Sequence, residues 1–350
     1  MMDGVKKLLA GEALSREEFV YLLENRAHLQ PMLTKKAEET CLANYGRDVY
    51  VRGLIEFTNY CRNDCYYCGI RRSNCYVNRF RLDEDTILER CAVGYGLGLR
   101  TFVLQGGEDG GYSPHRLANL VNAIKTRYPD CAVTLSVGEH PKEVYQSWFD
   151  AGADRYLLRH ETASTSHYRH LHPERQSLQT RLECLENLKE IGYQVGCGFM
   201  VGSPGQGVAE LAEDLFFIQR FRPHMVGIGP FLPQKDTPFR NEPSGDGELT
   251  LYLLSLVRLM LPRVLLPATT ALATLLPKGR EQGFLAGANV CMPNLSPEEA
   301  RKNYTLYDNK LSTGTEAAES LQALNKSLQA IDRTLSLSRG DHIERTKPYV

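Results

Sequence analysis

Several things are missing from this chain, and each absence removes a class of function. Formal net charge is only −1 and no block of like charges occurs, so there is no basic footprint for nucleic acid or an anionic membrane surface. No apolar run is long enough to span a bilayer. The most apolar stretch, Leu249 to Pro277, is interrupted by Arg258, Pro262, Arg263 and Pro267, and reads as a buried helix followed by a strand. The N-terminus has Lys6 and Lys7 but then acidic residues where a signal peptide needs its apolar core, so export is not expected. Ten cysteines without an extracellular context then imply a reducing, cytoplasmic setting.

What the chain does contain is a tight cysteine loop. In IEFTNYCRNDCYYCGIRR, Cys61, Cys65 and Cys68 stand at x3 and x2 spacing. Clusters that only carry electrons usually have every iron held by the protein. Three thiolates would hold three corners of a 4Fe-4S cluster and leave one iron open to a substrate. The best known use of such an iron is to bind S-adenosylmethionine (SAM) and cleave it reductively, the cofactor supplying the hard chemistry. A zinc knuckle or redox pair would also use a CxxC, but zinc needs a second close pair and no CxxH or HxxxH lies nearby. Cys75, beyond the basic RRSN stretch, is read as a bystander. The remaining six, Cys41, Cys91, Cys131, Cys184, Cys197 and Cys291, sit in apolar contexts and read as small buried hydrophobes.

With 350 residues and 42% hydrophobic content the chain can bury one large core. Residues 1–46 read as a helical cap, with Ser15 and Glu18 forming a capping box. Short β-branched runs then alternate with amphipathic stretches: VYVRGLIEF, TFVLQ, AVTLSV, DRYLLR, QVGCGFMV, MVGIG, RVLLPATTA and ANVCM. Eight such units predict a complete (βα)8 TIM-type barrel over residues 47–311, with a doubly wound open sheet as the alternative. Residues 312–350 read as a C-terminal helical extension, AAESLQALNKSLQAIDRTL, with a charged, partly mobile end.

Active faces of parallel barrels lie at the C-terminal strand ends. The cysteine loop falls there, as do Gln105-Gly106-Gly107-Glu108-Asp109, Ser136, Glu139, Arg159-His160-Glu161-Thr162, Met200, Thr269, Thr270, Met292 and Asn294. Glu108 suits an ammonium, a guanidinium suits a carboxylate, and Glu161 suits ribose hydroxyls. Arg159, Glu161 and Arg181 equally suit ion pairs among themselves. Tyr67 is either a core aromatic or a platform beside a base, and Met200 is either a gap-filler or part of a site. Thr269 and Thr270 either cap the next helix or bind an anion.

The segments LIEFTNYCRNDCYYCG, VLQGGED, GADRYLLRHETA, MVGSPGQ, MVGIGPFLP, PATTALAT and ANVCMPN resemble the HydE family of FeFe-hydrogenase maturases, radical SAM proteins related to biotin synthase and methylornithine synthase. The resemblance runs from about residue 50 to 310. It implies a barrel with an internal cavity, a SAM-ligated 4Fe-4S cluster on Cys61, Cys65 and Cys68, and a part in assembling the dithiomethylamine-bridged diiron cofactor. It further implies SAM contacts from Glu108, Ser136, Arg159, Glu161 and Arg181, with Tyr67 and Met200 nearby. Arg155, Thr269, Thr270, Tyr304 and Tyr307 would line the cavity or its anion sites. The implied substrate is an iron-carbonyl-cyanide-cysteine complex from the maturase HydG, with product passing to HydF and electrons coming from a ferredoxin or flavodoxin. Many relatives carry a second iron-sulfur cluster on three late cysteines. Here no Cys follows Cys291 and the stretch reads LSTGTEAAES, so one cluster is expected. Another radical SAM synthase or mutase of the methylornithine or biotin type is the alternative within the same chemistry, and a non-catalytic iron-sulfur or zinc protein is the alternative outside it.

Overall fold

The computed structural model describes residues 2–310 and 317–345. Three helices open the chain, Met2–Ala10, Arg16–Glu24 and Arg26–Tyr45. The second begins where the capping box predicts: Ser15 N–H donates to Glu18 Oε2 at 2.8 Å while Glu18 N–H donates to Ser15 Oγ at 3.3 Å. These helices cover Gly247–Met260, nearly all of whose residues are buried, which is why that helix is apolar all round without being a membrane span. Among the described residues no helix is long and apolar enough to cross a membrane.

The strands are β1 Asp48–Val51, β2 Gly53–Thr58, β3 Thr101–Gly106, β4 Ala132–Ser136, β5 Arg155–Leu157, β6 Gln194–Cys197, β7 Met200–Val201, β8 Met225–Val226, β9 Gly229–Pro230, β10 Val290–Cys291 and β11 Thr334–Ser336. β2, β3, β4, β5, β6 and β8 form a six-stranded parallel sheet, each strand followed by at least one helix. Buried on both faces, its strands are continuous hydrophobic runs rather than alternating ones. The register sets Glu56, Gln105 and Ser136 level at the C-terminal end of the sheet, and Thr134, Arg155 and Gln194 level toward the other end.

The observed ladder departs from eight regular strands. The first predicted strand breaks at buried Arg52, so β1 leaves the sheet to pair with β10 and β11. The fifth and sixth each split, giving the separate pair β7–β9. The cause is close approach: Gly198 has φ +153° and a Cβ there would sit 2.0 Å from Gly227 O. RVLLPATTA forms only single bridges, Met225 to Leu265 and Pro267 to Val290, and Pro267 within it offers no N–H to a ladder. A further bridge joins Leu54 to Asn294. The regular hydrogen-bonded sheet is therefore open, and the described chain is an α/β fold around parallel strands.

The C-terminal extension also differs. Its helix ends at Gln329, after which β11 pairs with β1, and Gly340 to Arg345 pack beneath the sheet instead of trailing away. Leu311 to Glu316, which hold much of LSTGTEAAES, and the last five residues, for which mobility is expected, lie outside the described residues.

Candidate active site

The cysteine loop leaves the C-terminal end of β2 without regular structure, and its shape is set by backbone constraints. Arg79 donates to the carbonyls of Asn59 (2.5 Å), Ile70 (2.8 Å), Arg71 (2.6 Å) and Asn74 (3.1 Å), drawing the loop closed with one planar fork. Neighbours approach closely wherever side chains are missing. A Cβ on Gly69 would lie 1.9 Å from Thr305 O, and one on Gly107 would lie 2.2 Å from Tyr60 O.

Cys61, Cys65 and Cys68 are half-buried, Cys75 is exposed, and the other six cysteines are buried. Burial raises all three loop thiols, Cys65 to about 11, and Cys61, Cys65 and Cys68 also act on one another through space. Three mutually close thiols are suited to a centre whose positive charge would reverse that shift. Among the described residues no trio of His, Cys, Asp or Glu side chains converges on a single metal ion.

Beside the loop lie a half-buried arginine, its buried carboxylate partner and their neighbours. Arg159 and Glu161 form an ion pair at 3.5 Å, yet Arg159 Nε and Nη2 and Glu161 Oε2 are buried without a hydrogen-bond partner. Glu161 also holds φ +66°, a left-handed conformation that a non-glycine residue adopts only under constraint. Buried polar atoms of both signs without a hydrogen bond, on a strained turn after β5 whose Glu161 acts on Cys68 through space, mark a ligand site. The residues therefore fit a zwitterionic ligand next to a cluster. Arg181 instead pairs with Glu139 and donates to Arg159 O at 2.9 Å, so it buttresses that turn. Glu108 is buried, accepting from Arg62 Nε at 2.8 Å and Glu139 N–H at 2.9 Å. Its carboxylate keeps further lone pairs for a third donor. Ser136 closes β4 at the same level.

Tyr67 and Met200 meet in one apolar group with Leu171, Phe231 and Phe239. The Tyr67 hydroxyl donates to His172 Nε2 at 3.1 Å, while His172 Nδ1–H donates to Tyr168 O at 2.9 Å. Burial lowers His172 to about 3, so the ring is neutral and its Nε2 is an acceptor.

The remaining expected residues divide. Tyr304 is buried close to Gln105, Glu56 and Cys68, and Tyr307 lies near Thr274 and Arg159 and is raised to about 12 by burial. Thr269 acts as a helix cap, its Oγ1 accepting from Leu272 N–H at 3.3 Å, while Thr270 opens that helix. Arg155 is not brought to this end. It begins β5, donates to Asp341 Oδ1 at 2.5 Å, and with Arg52 and Thr134 lines a separate cavity of about 10 Å³.

Sequence reasoning missed four contributors. Gln176 Nε2 donates to Cys65 Sγ at 3.5 Å, His172 holds Tyr67, and buried Glu56 takes Lys310 and Asn294 (2.8 Å) at the mouth. Asn294 is expected at this end from its position after a strand; Gln176, His172, Glu56 and Lys310 carry no such signal.

The radical SAM superfamily profile matches residues 55–218. Over 328 residues the chain is 43% identical to the FeFe hydrogenase maturase subunit HydE of Thermotoga maritima, covering 92% of this chain and 93% of that protein. The chain belongs to the HydE family. It is a radical SAM enzyme of the hydrogenase-maturase type, and iron-sulfur and SAM binding come with that membership. HydE-type chains have other relatives: this one is 30% identical to 3-methylornithine synthase of Methanosarcina barkeri over 76% of its length and 75% of that protein. The crystal structure of methylornithine synthase superposes with a TM-score of 0.79 over 95% of this chain and 96% of that one; at 24% identity this speaks to the fold.

Proposed function

We propose that Cys61, Cys65 and Cys68 hold one 4Fe-4S cluster, and that Glu108, Ser136, Arg159, Glu161 and Arg181 bind or orient SAM on it, with Tyr67 and Met200 beside it. The observation that carries this is the pairing of three close thiols with the hydrogen-bond orphans of Arg159 and Glu161. When bound, the cluster supplies an electron that breaks SAM to a 5′-deoxyadenosyl radical. The protein's own task is to fix SAM and keep the apolar side of the site dry. The single bridges from Met225 through Leu265, Val290 and Leu54 support a complete eight-strand barrel around a cavity reached by Thr269, Thr270, Tyr304 and Tyr307. Residues 1–46 would form the cap, 47–311 the barrel and 312–350 the extension.

The substrate in this reading is an iron-carbonyl-cyanide-cysteine complex from HydG, the product passes to HydF, and a ferredoxin or flavodoxin in the cytoplasm reduces the cluster. No second cluster is proposed, since no cysteine follows Cys291. The test is maturation of apo FeFe-hydrogenase with its other maturases, with this protein added or omitted under anaerobiosis. Hydrogen evolution that needs this protein and is lost in Cys65→Ala supports the reading, and about four irons per chain after reconstitution supports one cluster. The 30% identity to 3-methylornithine synthase favours a mutase as second reading. Intact SAM cleavage without maturation, stimulated by lysine, would select it.

A further inference from the structure

The mouth of the site faces solvent through a charged and aromatic surface that nothing described so far uses. Between Cys61 and Arg79 the loop carries four arginines, Arg62, Arg71, Arg72 and Arg79, against one acid, Asp64, in a chain whose overall charge is −1. Asp64 is already neutralised by Arg71 at 2.8 Å and by Ser73. Arg79 is spent on loop carbonyls. Arg62 is 64% exposed beyond its bond to Glu108, and Arg72 is exposed with no ion pair among the described residues. Arg175 joins them, exposed and donating to Arg62 O at 2.7 Å, with exposed Glu174 as the acid beside it. On the same loop Tyr76 is 79% exposed; the other large exposed hydrophobics, Leu9, Met32, Val93 and Ile343, all fall below half.

Tyr76 stands largely exposed on the loop that also carries Arg62 and Arg72, and Tyr and Arg are the residues that dominate protein interfaces. Resting on the radical SAM reading above, we propose that Arg62, Arg72, Arg175 and Tyr76 form the docking surface for an acidic one-electron carrier protein. The chemistry demands such a partner. Reductive cleavage of SAM takes one electron per event, the only redox centre this reading assigns to the chain is the cluster on Cys61, Cys65 and Cys68, and that electron must enter from outside. In the step, the carrier's reduced centre loses one electron and the cluster gains it; no bond or proton moves. The thiols are half-buried and Tyr76 follows Cys68 by eight residues, so a partner seated on Tyr76 rests on the loop that would hold the cluster. Positive charge draws in an acidic partner and makes its arrival salt-dependent.

The experiment uses the reconstituted protein and an acidic flavodoxin as probe. Binding is measured by titration calorimetry at low and high salt, and 5′-deoxyadenosine formation is driven in parallel by reduced flavodoxin or by dithionite, which needs no docking. Arg72→Glu with Tyr76→Ser should weaken flavodoxin binding at least about tenfold and flatten its salt dependence. Iron content and the dithionite-driven rate should stay at the wild-type level, which also certifies the fold. Arg175→Glu alone should show the same loss in smaller measure. Unchanged binding and unchanged flavodoxin-driven rate in both variants would overturn the proposal. Failure of dithionite to cleave SAM in the wild type would strike the radical SAM reading itself.

Discussion

At the scale of single residues the site is set by what glycines allow. Gly138 sits at φ +84°, and a Cβ there would lie 2.1 Å from Glu108 Cγ, so the buried carboxylate occupies the space a side chain would take. Gly138→Ala therefore pushes Glu108 off its place between Arg62 and the Glu139 N–H. A displaced charge-assisted hydrogen bond to a SAM ammonium costs about 1.5 kcal/mol or more. The apparent KM for SAM should then rise at least about tenfold with cluster content unchanged; a wild-type KM would show that Glu108 does not face the ligand. Gln176 acts on a different property. Its amide donates to Cys65 Sγ at 3.5 Å, and donors to cluster sulfurs favour the reduced, more negative state. If Gln176→Leu removes about 1 kcal/mol of that preference, the midpoint potential falls by about 40 mV. An EPR-monitored titration reads this directly, and an unmoved potential would reduce Gln176 to packing.

At the scale of elements, the cysteine loop has no helix or strand of its own and depends on Arg79. Four carbonyls, from Asn59 to Asn74, lose their donor in Arg79→Met, whereas Arg79→Lys keeps the charge but not the fork. Iron retained after desalting should fall well below wild type in the Met variant and recover only in part in the Lys variant. Full retention in both would mean that Gly69 and Gly107, packed against Thr305 O and Tyr60 O, suffice to hold the loop. The same scale explains what the sequence could and could not reveal. The three cysteines were legible because their chemistry lies in eight consecutive residues, and Arg159, Glu161 and Ser136 because strand ends can be located from local patterning. Gln176 is 111 residues from Cys65, Lys310 is 254 from Glu56, and Asp341 is 186 from Arg155, and no local pattern encodes such pairings. The break at Arg52 was hidden for another reason: the apolar pattern runs through VYVRGLIEF, and only the competing partners β10 and β11 divide it. Arg155, judged by its place in a family motif, is drawn toward the opposite end by a segment the pattern left aperiodic.

At the scale of the whole molecule that segment closes the end of the sheet remote from the cysteines. Asp341 is its centre. Its carboxylate meets Arg155 at 2.5 Å, Arg339 at 2.8 Å and Arg345 at 2.9 Å, and it accepts from Gln194 Nε2 at 2.8 Å. Asp154 takes Arg339 at 2.7 Å and Arg345 at 3.3 Å from the sheet side, so two acids and three guanidiniums interlock the C-terminal segment with β5 and β6. Arg155 and Asp341 are almost wholly buried, and a buried pair that loses one partner leaves the other charge uncompensated. Asp341→Asn should therefore destabilise the protein by about 3 kcal/mol at neutral pH, seen as an earlier midpoint in denaturant. The pH dependence follows from the direction of the shift. The nearby guanidiniums hold Asp341 well below the usual carboxylate range despite the opposing effect of burial. A carboxylate depressed in the folded state binds its proton more readily when unfolded, so its stabilisation is complete above the unfolded value, about 3.9, and drains away as pH falls below it. Wild-type protein should accordingly lose stability more steeply than Asp341→Asn below about pH 4, and the two curves should converge in acid. Parallel curves from neutral to acid pH would mean that the interlock is held by Asp154 and the pairing of β11 with β1, with Asp341 contributing packing alone.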